Sequence, residues 1–191
     1  MSIIEQNTLR LQGILDKVND LPDSTEGDSA TYRPLKDFAE GNKWNLTVED
    51  LEGATEIANF AFNGWTGIID VAIPDSVKKI GEEAFAYTTL NALDLGNGVE
   101  EIEAEAFSNS LCLADVTIPS SVKQIGYGSF YYSQSTVFTF KGKPDSIRSN
   151  AFKGSEECII NVPWGENEVD GAPWGAESFD GNTINYNYTE N

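Results

Sequence analysis

Apolar and polar residues alternate along this chain in short bursts. Val71-Ala-Ile73, Leu93-Asp-Leu95, Val116-Thr-Ile118 and Phe138-Thr-Phe140 each set large apolar groups on one side and small or polar groups on the other. That is the period of a half-buried strand. A second pattern, Ile-x-x-x-x-Phe, lies between the bursts at Ile57–Phe62, Ile80–Phe85, Ile102–Phe107, Ile125–Phe130 and Ile147–Phe152. Its isoleucines follow one another at 23, 22, 23 and 22 residues. A second series (Ile73, Leu95, Ile118, Phe140, Val162) steps by 22, 23, 22 and 22. A third, Ala54, Val77, Val99 and Val122, sits three residues before each of the first four isoleucines. Three registers in agreement define an internal repeat.

Each unit has a strand and then a tight bend that turns one small and two large apolar groups inward, as in Ile80-Gly-Glu-Glu-Ala-Phe85. Proline after the strand (Pro74, Pro119, Pro163) ends it, because proline cannot continue the ladder. No single unit can bury its own apolar face. Stacked at about 4.8 Å, each unit covers the next and a continuous core results. The predicted fold is a repeat solenoid, mainly β, with short turns or helical bends. Phe85, Phe107 and Phe130 are expected to stack in a buried column.

The run Ile73-Pro-Asp-Ser-Val-Lys-Lys-Ile-Gly-Glu-Glu-Ala-Phe85 and its copy Ile118-Pro-Ser-Ser-Val-Lys-Gln-Ile-Gly-Tyr-Gly-Ser-Phe130 resemble the BspA-like leucine-rich repeats. The copies at Leu95 and Phe140 lack the proline, and the last carries Pro144 where valine is usual. The resemblance covers roughly residues 51–163. It implies an architecture that serves adhesins, surface proteins and virion proteins alike.

The ends differ from the repeats. Ile4, Leu11 and Val18 recur every seven residues with Ile14 and Leu21 offset by three, an a/d heptad pattern with Asn7 at a d position. Two readings stay open: a coiled-coil stalk that oligomerises the chain, or one amphipathic helix packed on the repeats. The expected organisation is a helix or stalk over 1–22, a linker over 23–32, an N-terminal cap over 33–52, repeats over 53–163 and a C-terminal cap over 164–191. Leu35, Phe38, Trp44, Leu46 and Leu51 are the cap's apolar residues. Thr183-Ile-Asn-Tyr-Asn-Tyr188 alternates as a closing strand. Pro163-Trp-Gly and Pro173-Trp-Gly with that closing run resemble the tails of structural proteins from phages and prophages of gut Firmicutes. This second resemblance implies a virion tail-fibre or tail-tip subunit, a homo-oligomer with three copies favoured, and other tail proteins as partners. A bacterial cell-surface adhesin is the alternative.

Charge and composition narrow the chemistry. The 191 residues hold 12 Lys and Arg against 31 Asp and Glu, a net charge of −19, which disfavours nucleic acid and anionic membranes. Histidine is absent, removing the commonest general base and the usual nucleophile partners. No apolar stretch spans a bilayer and the start lacks a signal peptide's apolar region. The expectation is a non-enzymatic protein without cofactor, metal site or membrane insertion. Cys112 and Cys158 lie two repeat periods apart, about 10 Å by layer spacing, too far to bridge. Acid pairs such as Glu82-Glu83 and Glu100-Glu101 read as solvated surface, with nothing to specify a glycosidase pair.

The outward side of the repeat strands carries Asp70, Asp94, Asp115, Thr117 and Thr139, with Ala72, Ala92 and Val137 between them. These five polar residues form the candidate ligand face, suited to a host surface glycan or protein; plain solubility is the rival reading. Tyr127, Tyr131, Tyr132, Trp164 and Trp174 are either aromatic platforms or filling for core and caps.

Overall fold

The computed structural model describes residues 44–48, 50–110, 115–135, 137–154, 158–166, 168–170 and 183–190. Within them the alternating bursts form one column of short strands: β1 (Trp44–Leu46), β3 (Ile68–Ala72), β5 (Ala92–Asp94), β7 (Val116–Ile118), β9 (Val137–Phe140), β11 (Ile159–Asn161) and β12 (Thr183–Asn185). The residues leading into each isoleucine form a second column: β2 (Glu56–Ile57), β4 (Lys79–Ile80), β6 (Glu101–Ile102), β8 (Gln124–Ile125) and β10 (Ser146–Ile147). All pairings are parallel. Successive units therefore stack in register, as a solenoid requires.

The second column runs unbroken in the order β10-β8-β6-β4-β2, whereas the first divides into β1-β3-β5 and β12-β11-β9-β7. Ile57, Ile80, Ile102, Ile125 and Ile147 line up inside, and Phe62, Phe85, Phe107, Phe130 and Phe152 stack beside them. Neighbouring rings in this column are 5.0, 5.4, 5.2 and 5.6 Å apart and tilted by 13° or less. Phe85, Phe107 and Phe130 are at most 1% exposed. The predicted column is present.

The bends are turns, and the described residues contain no helix. They are tied layer to layer: the Phe85 and Phe107 amides donate to the carbonyls of Ala106 (2.8 Å) and Ser129 (2.7 Å). Each bend holds two left-handed residues, three and seven positions after its isoleucine. Glu83 and Tyr87 (φ 50° and 58°) and Glu105 and Asn109 (52° and 54°) show the pattern.

The imperfect copies are repaired from the neighbouring layer. Where Leu95 is not followed by proline, the Asp75 carboxylate of the previous unit accepts from the Asn97 amide at 2.7 Å. Pro144 is buried in the place of Val122, and the Asp145 and Ser146 amides still reach the Lys123 carbonyl at 2.8 and 3.2 Å.

The ends extend both columns. Leu46 pairs with Val71, a step of 25 residues, so β1 is a strand of the stack outside the 22–23 residue period. Leu46 and Leu51 are buried in the core. Leu35 and Phe38 lie outside the described residues, as do Ile4, Leu11, Ile14, Val18, Leu21 and the expected helix over 1–22. Trp164 is buried edge-on to Phe140 at 5.1 Å, closing the core. Asp170 bridges to Ser146 and adds a rung to the second column.

Candidate functional site

Parallel pairing places the candidate ligand residues on two outward rows. Asp70 pairs with Ala92 and Ala72 with Asp94, while Thr117 pairs with Thr139 and Thr139 with Asn161. By repeat register Asp115 continues the Asp70 row, and Thr117 the Asp94 row. Asp94, Asp115 and Thr117 meet at a shallow depression of about 330 Å³, located where the first column divides between β5 and β7. Asn97, Ser120 and Lys141 complete its polar rim. Asp70 and Thr139 do not line it.

Each side chain has a local reason to be there. Asp94 is the last residue of β5 and its Oδ1 accepts from the Gly96 amide at 2.9 Å, which fixes the start of the turn. Lys141 directly follows β9 and forms an ion pair with Glu190. Thr139 Oγ1 accepts from Asn161 Nδ2 at 3.3 Å, and Asn161 Oδ1 accepts from Asn185 Nδ2 at 2.8 Å. The Thr139 end of the row is thus a side-chain ladder bonded to itself. The open end at Asp94, Asp115 and Thr117 faces solvent. Asn161 was findable from the period, since it lies 22 residues after Thr139. Asn97, Ser120 and Lys141 were not, because they come from turns whose lateral placement the period does not specify.

The acid clusters lie mostly on the second column and its bends. Lys79 Nζ meets Glu103 Oε1 at 2.7 Å, and this hydrogen bond raises the lysine's pKa. Lys123 pairs with Glu100; the hydrogen bond lowers the carboxyl's pKa and raises the lysine's. Glu83 is pushed above the usual carboxylate range, first by desolvation and then by the Glu105 charge, against a 2.9 Å bond from Asn63 Nδ2. A second depression, about 300 Å³, holds Glu82, Glu101, Glu103, Gln124, Ser146 and Arg148. Among the described residues no group of three or more Asp, Glu, Cys or His is arranged to hold a metal ion, and no helix is long and apolar enough to cross a membrane.

Cys158 is buried, and burial pushes its thiol up to about 11, so it stays protonated at neutral pH. Cys112 and Trp174 lie outside the described residues. The aromatic alternatives divide: Trp164 fills the core, while Tyr127 and Tyr132 stand about half exposed on the bends. Tyr87, unmarked by the sequence reading, joins them at 54% exposure. Its position seven residues after Ile80, matching Tyr132 after Ile125, was the available signal.

Comparison with curated proteins and with solved structures returns no match. A family model does match: the BspA type leucine-rich repeat region, in six copies over residues 37–163. Those residues are more than half of the chain, and they span the register of inward isoleucines and stacked phenylalanines seen in the fold. The chain belongs to the BspA type leucine-rich repeat family.

Proposed function

We propose that this protein is a non-enzymatic, adhesion-type binding module whose outward strand face holds an uncharged, hydroxyl-rich polymer. The observation that carries the reading is the convergence of Asp94, Asp115 and Thr117, from two layers, on one open polar depression. Carboxylates and hydroxyls there can accept from and donate to sugar hydroxyls without a deep pocket. Two carboxylates within a chain of net charge −19 repel anionic glycans and phosphates. Weak single-site binding gains from multivalent display, which the heptad positions Ile4, Leu11, Ile14, Val18 and Leu21 would supply by self-association, three copies being favoured. Family membership supports a surface-adhesin setting. The tail-fibre setting is the second reading, favoured by the Pro163-Trp-Gly and Pro173-Trp-Gly ending.

An array of cell-wall glycans probed with wild type and with Asp94→Lys/Asp115→Lys tests the face. Selective binding of neutral glycans that the variant loses supports the reading. Equal binding by both proteins sinks it. Antibody labelling of intact phage particles and of cell surfaces separates the two settings.

A further inference from the structure

The bends carry a second feature, independent of the strand face. Seven residues after each isoleucine stand Gly64, Tyr87, Asn109, Tyr132 and Gly154, all in left-handed backbone at φ 75°, 58°, 54°, 52° and 87°. Glycine and asparagine sit there at ease, and bulky residues do not. The two tyrosines are 54% and 48% exposed, so burial offsets little of that conformational cost. Strain at a surface position that gains little packing points to an external contact.

The rung is ordered. The Tyr87, Asn109 and Tyr132 amides donate in turn to the carbonyls of Ser108, Tyr131 and Lys153 in the next layer, at 2.9, 2.7 and 2.9 Å. The three residues thus occupy consecutive layers, about 4.8 Å apart. The Tyr132 ring lies across Gly154, where an added Cβ would come within 2.8 Å of it, and Tyr131 abuts it edge-on at 4.5 Å. One side of the ring is held by the protein while nearly half of the residue remains open to solvent. Asn109 is partly exposed and donates an amide hydrogen to Ser108 Oγ at 2.9 Å. Nearby, Tyr127 is 47% exposed and its hydroxyl accepts from Asn150 Nδ2 at 3.2 Å.

We infer that Tyr87, Asn109 and Tyr132 form a ring–amide–ring track along the solenoid axis that binds an extended, uncharged β-linked glycan. The layer spacing is close to the length of one pyranose along such a chain. Equatorial pyranosides of the glucose or N-acetylglucosamine type present flat C–H faces to the two rings, and their hydroxyls reach Asn109. A peptide adding as a strand is disfavoured, because the bend amides already serve the ladder. The acidic surroundings, including Glu105 in the same bend as Asn109, disfavour an anionic polymer.

The test uses the full chain and soluble cello- and chito-oligosaccharides from disaccharide to pentasaccharide, read by calorimetry and saturation-transfer NMR. Tyr87→Asn/Tyr132→Asn suits the left-handed positions, so it should fold and melt no lower than wild type. Affinity is expected to rise with ligand length up to the trisaccharide and to fall at least about tenfold in that variant. Backbone amide shifts on titration are expected at Tyr87, Asn109 and Tyr132, which locates these sugars on the track independently of what the strand face binds. The proposal is overturned if wild type binds none of these sugars, if the tyrosine variant binds them equally, or if length has no effect. A large fall in melting temperature for the tyrosine variant would also overturn it, by showing the rings to be structural.

Discussion

Left-handed backbone in every bend is a demand that single residues meet well or badly. Three positions after the isoleucine, the layers carry Phe60, Glu83, Glu105, Gly128 and Asn150, with φ between 50° and 60°. Glycine and asparagine suit the position; Glu83 and Glu105 do not, and they add like charges in adjacent layers. A side chain in this region costs about 1–2 kcal/mol. Glu105→Asn is therefore expected to stabilise by about 1 kcal/mol, a rise of about 2–4 °C in melting temperature. It should also lower the Glu83 pKa. Because the folded state holds Glu83 above its usual value, it binds that proton more tightly than the unfolded chain does. Stability is then lost as pH rises from the ordinary carboxylate value through the raised one. In Glu105→Asn that loss shrinks. Thermal melts of both proteins between pH 4 and 7 check the sign, and a lower melting temperature at neutral pH would count against it.

At the scale of elements, strands of two or three residues cannot persist alone. The second column consists wholly of two-residue strands, and what holds it is the apolar stack behind. Phe107 sits mid-column, 1% exposed, with Phe85 and Phe130 stacked on its two faces. Phe107→Ala removes both ring contacts and leaves a cavity in a core that the backbone ladder keeps from collapsing. A loss of about 3–5 kcal/mol is expected, roughly a 10 °C fall in melting temperature. Calorimetry within a degree or two of wild type would refute the register. The contrast with Tyr132→Asn, a similar loss of ring in the same family of bends, separates inward packing from outward display.

For the whole molecule, self-association is the property the heptads predict. Full-length protein should be an oligomer by light scattering at tens of micromolar. Deleting residues 1–22 should leave a folded monomer with the melting behaviour of the repeats. A full-length monomer at that concentration would remove the stalk and with it the multivalent part of the adhesion reading. Cys158, by contrast, should not contribute to assembly: a buried thiol at about 11 is a poor nucleophile at neutral pH.

How much of this molecule was legible depends on whether a residue faces inward or outward. Inward residues repeat because each layer must offer the next the same apolar shape, so the Ile80, Ile102 and Phe85, Phe107 series disclosed the stack before any coordinates. Pro144 broke that pattern on paper yet fits it in space, since a buried ring can fill valine's place while neighbouring amides keep their bonds. β1 escaped the period because its step to β3 is 25 residues, a length that the intervening turns absorb. Outward residues obey no such rule. Alternation identified Asp70, Asp94, Asp115, Thr117 and Thr139 as sharing a face, but it did not say which of them meet. Asp94, Asp115 and Thr117 converge because the first column divides between β5 and β7. Thr139 turns instead to Asn161, whose amide donates to its hydroxyl. Lys141, Asn97 and Ser120 join the site from separate turns, and the offset between turns of adjacent layers exists only once the layers have stacked.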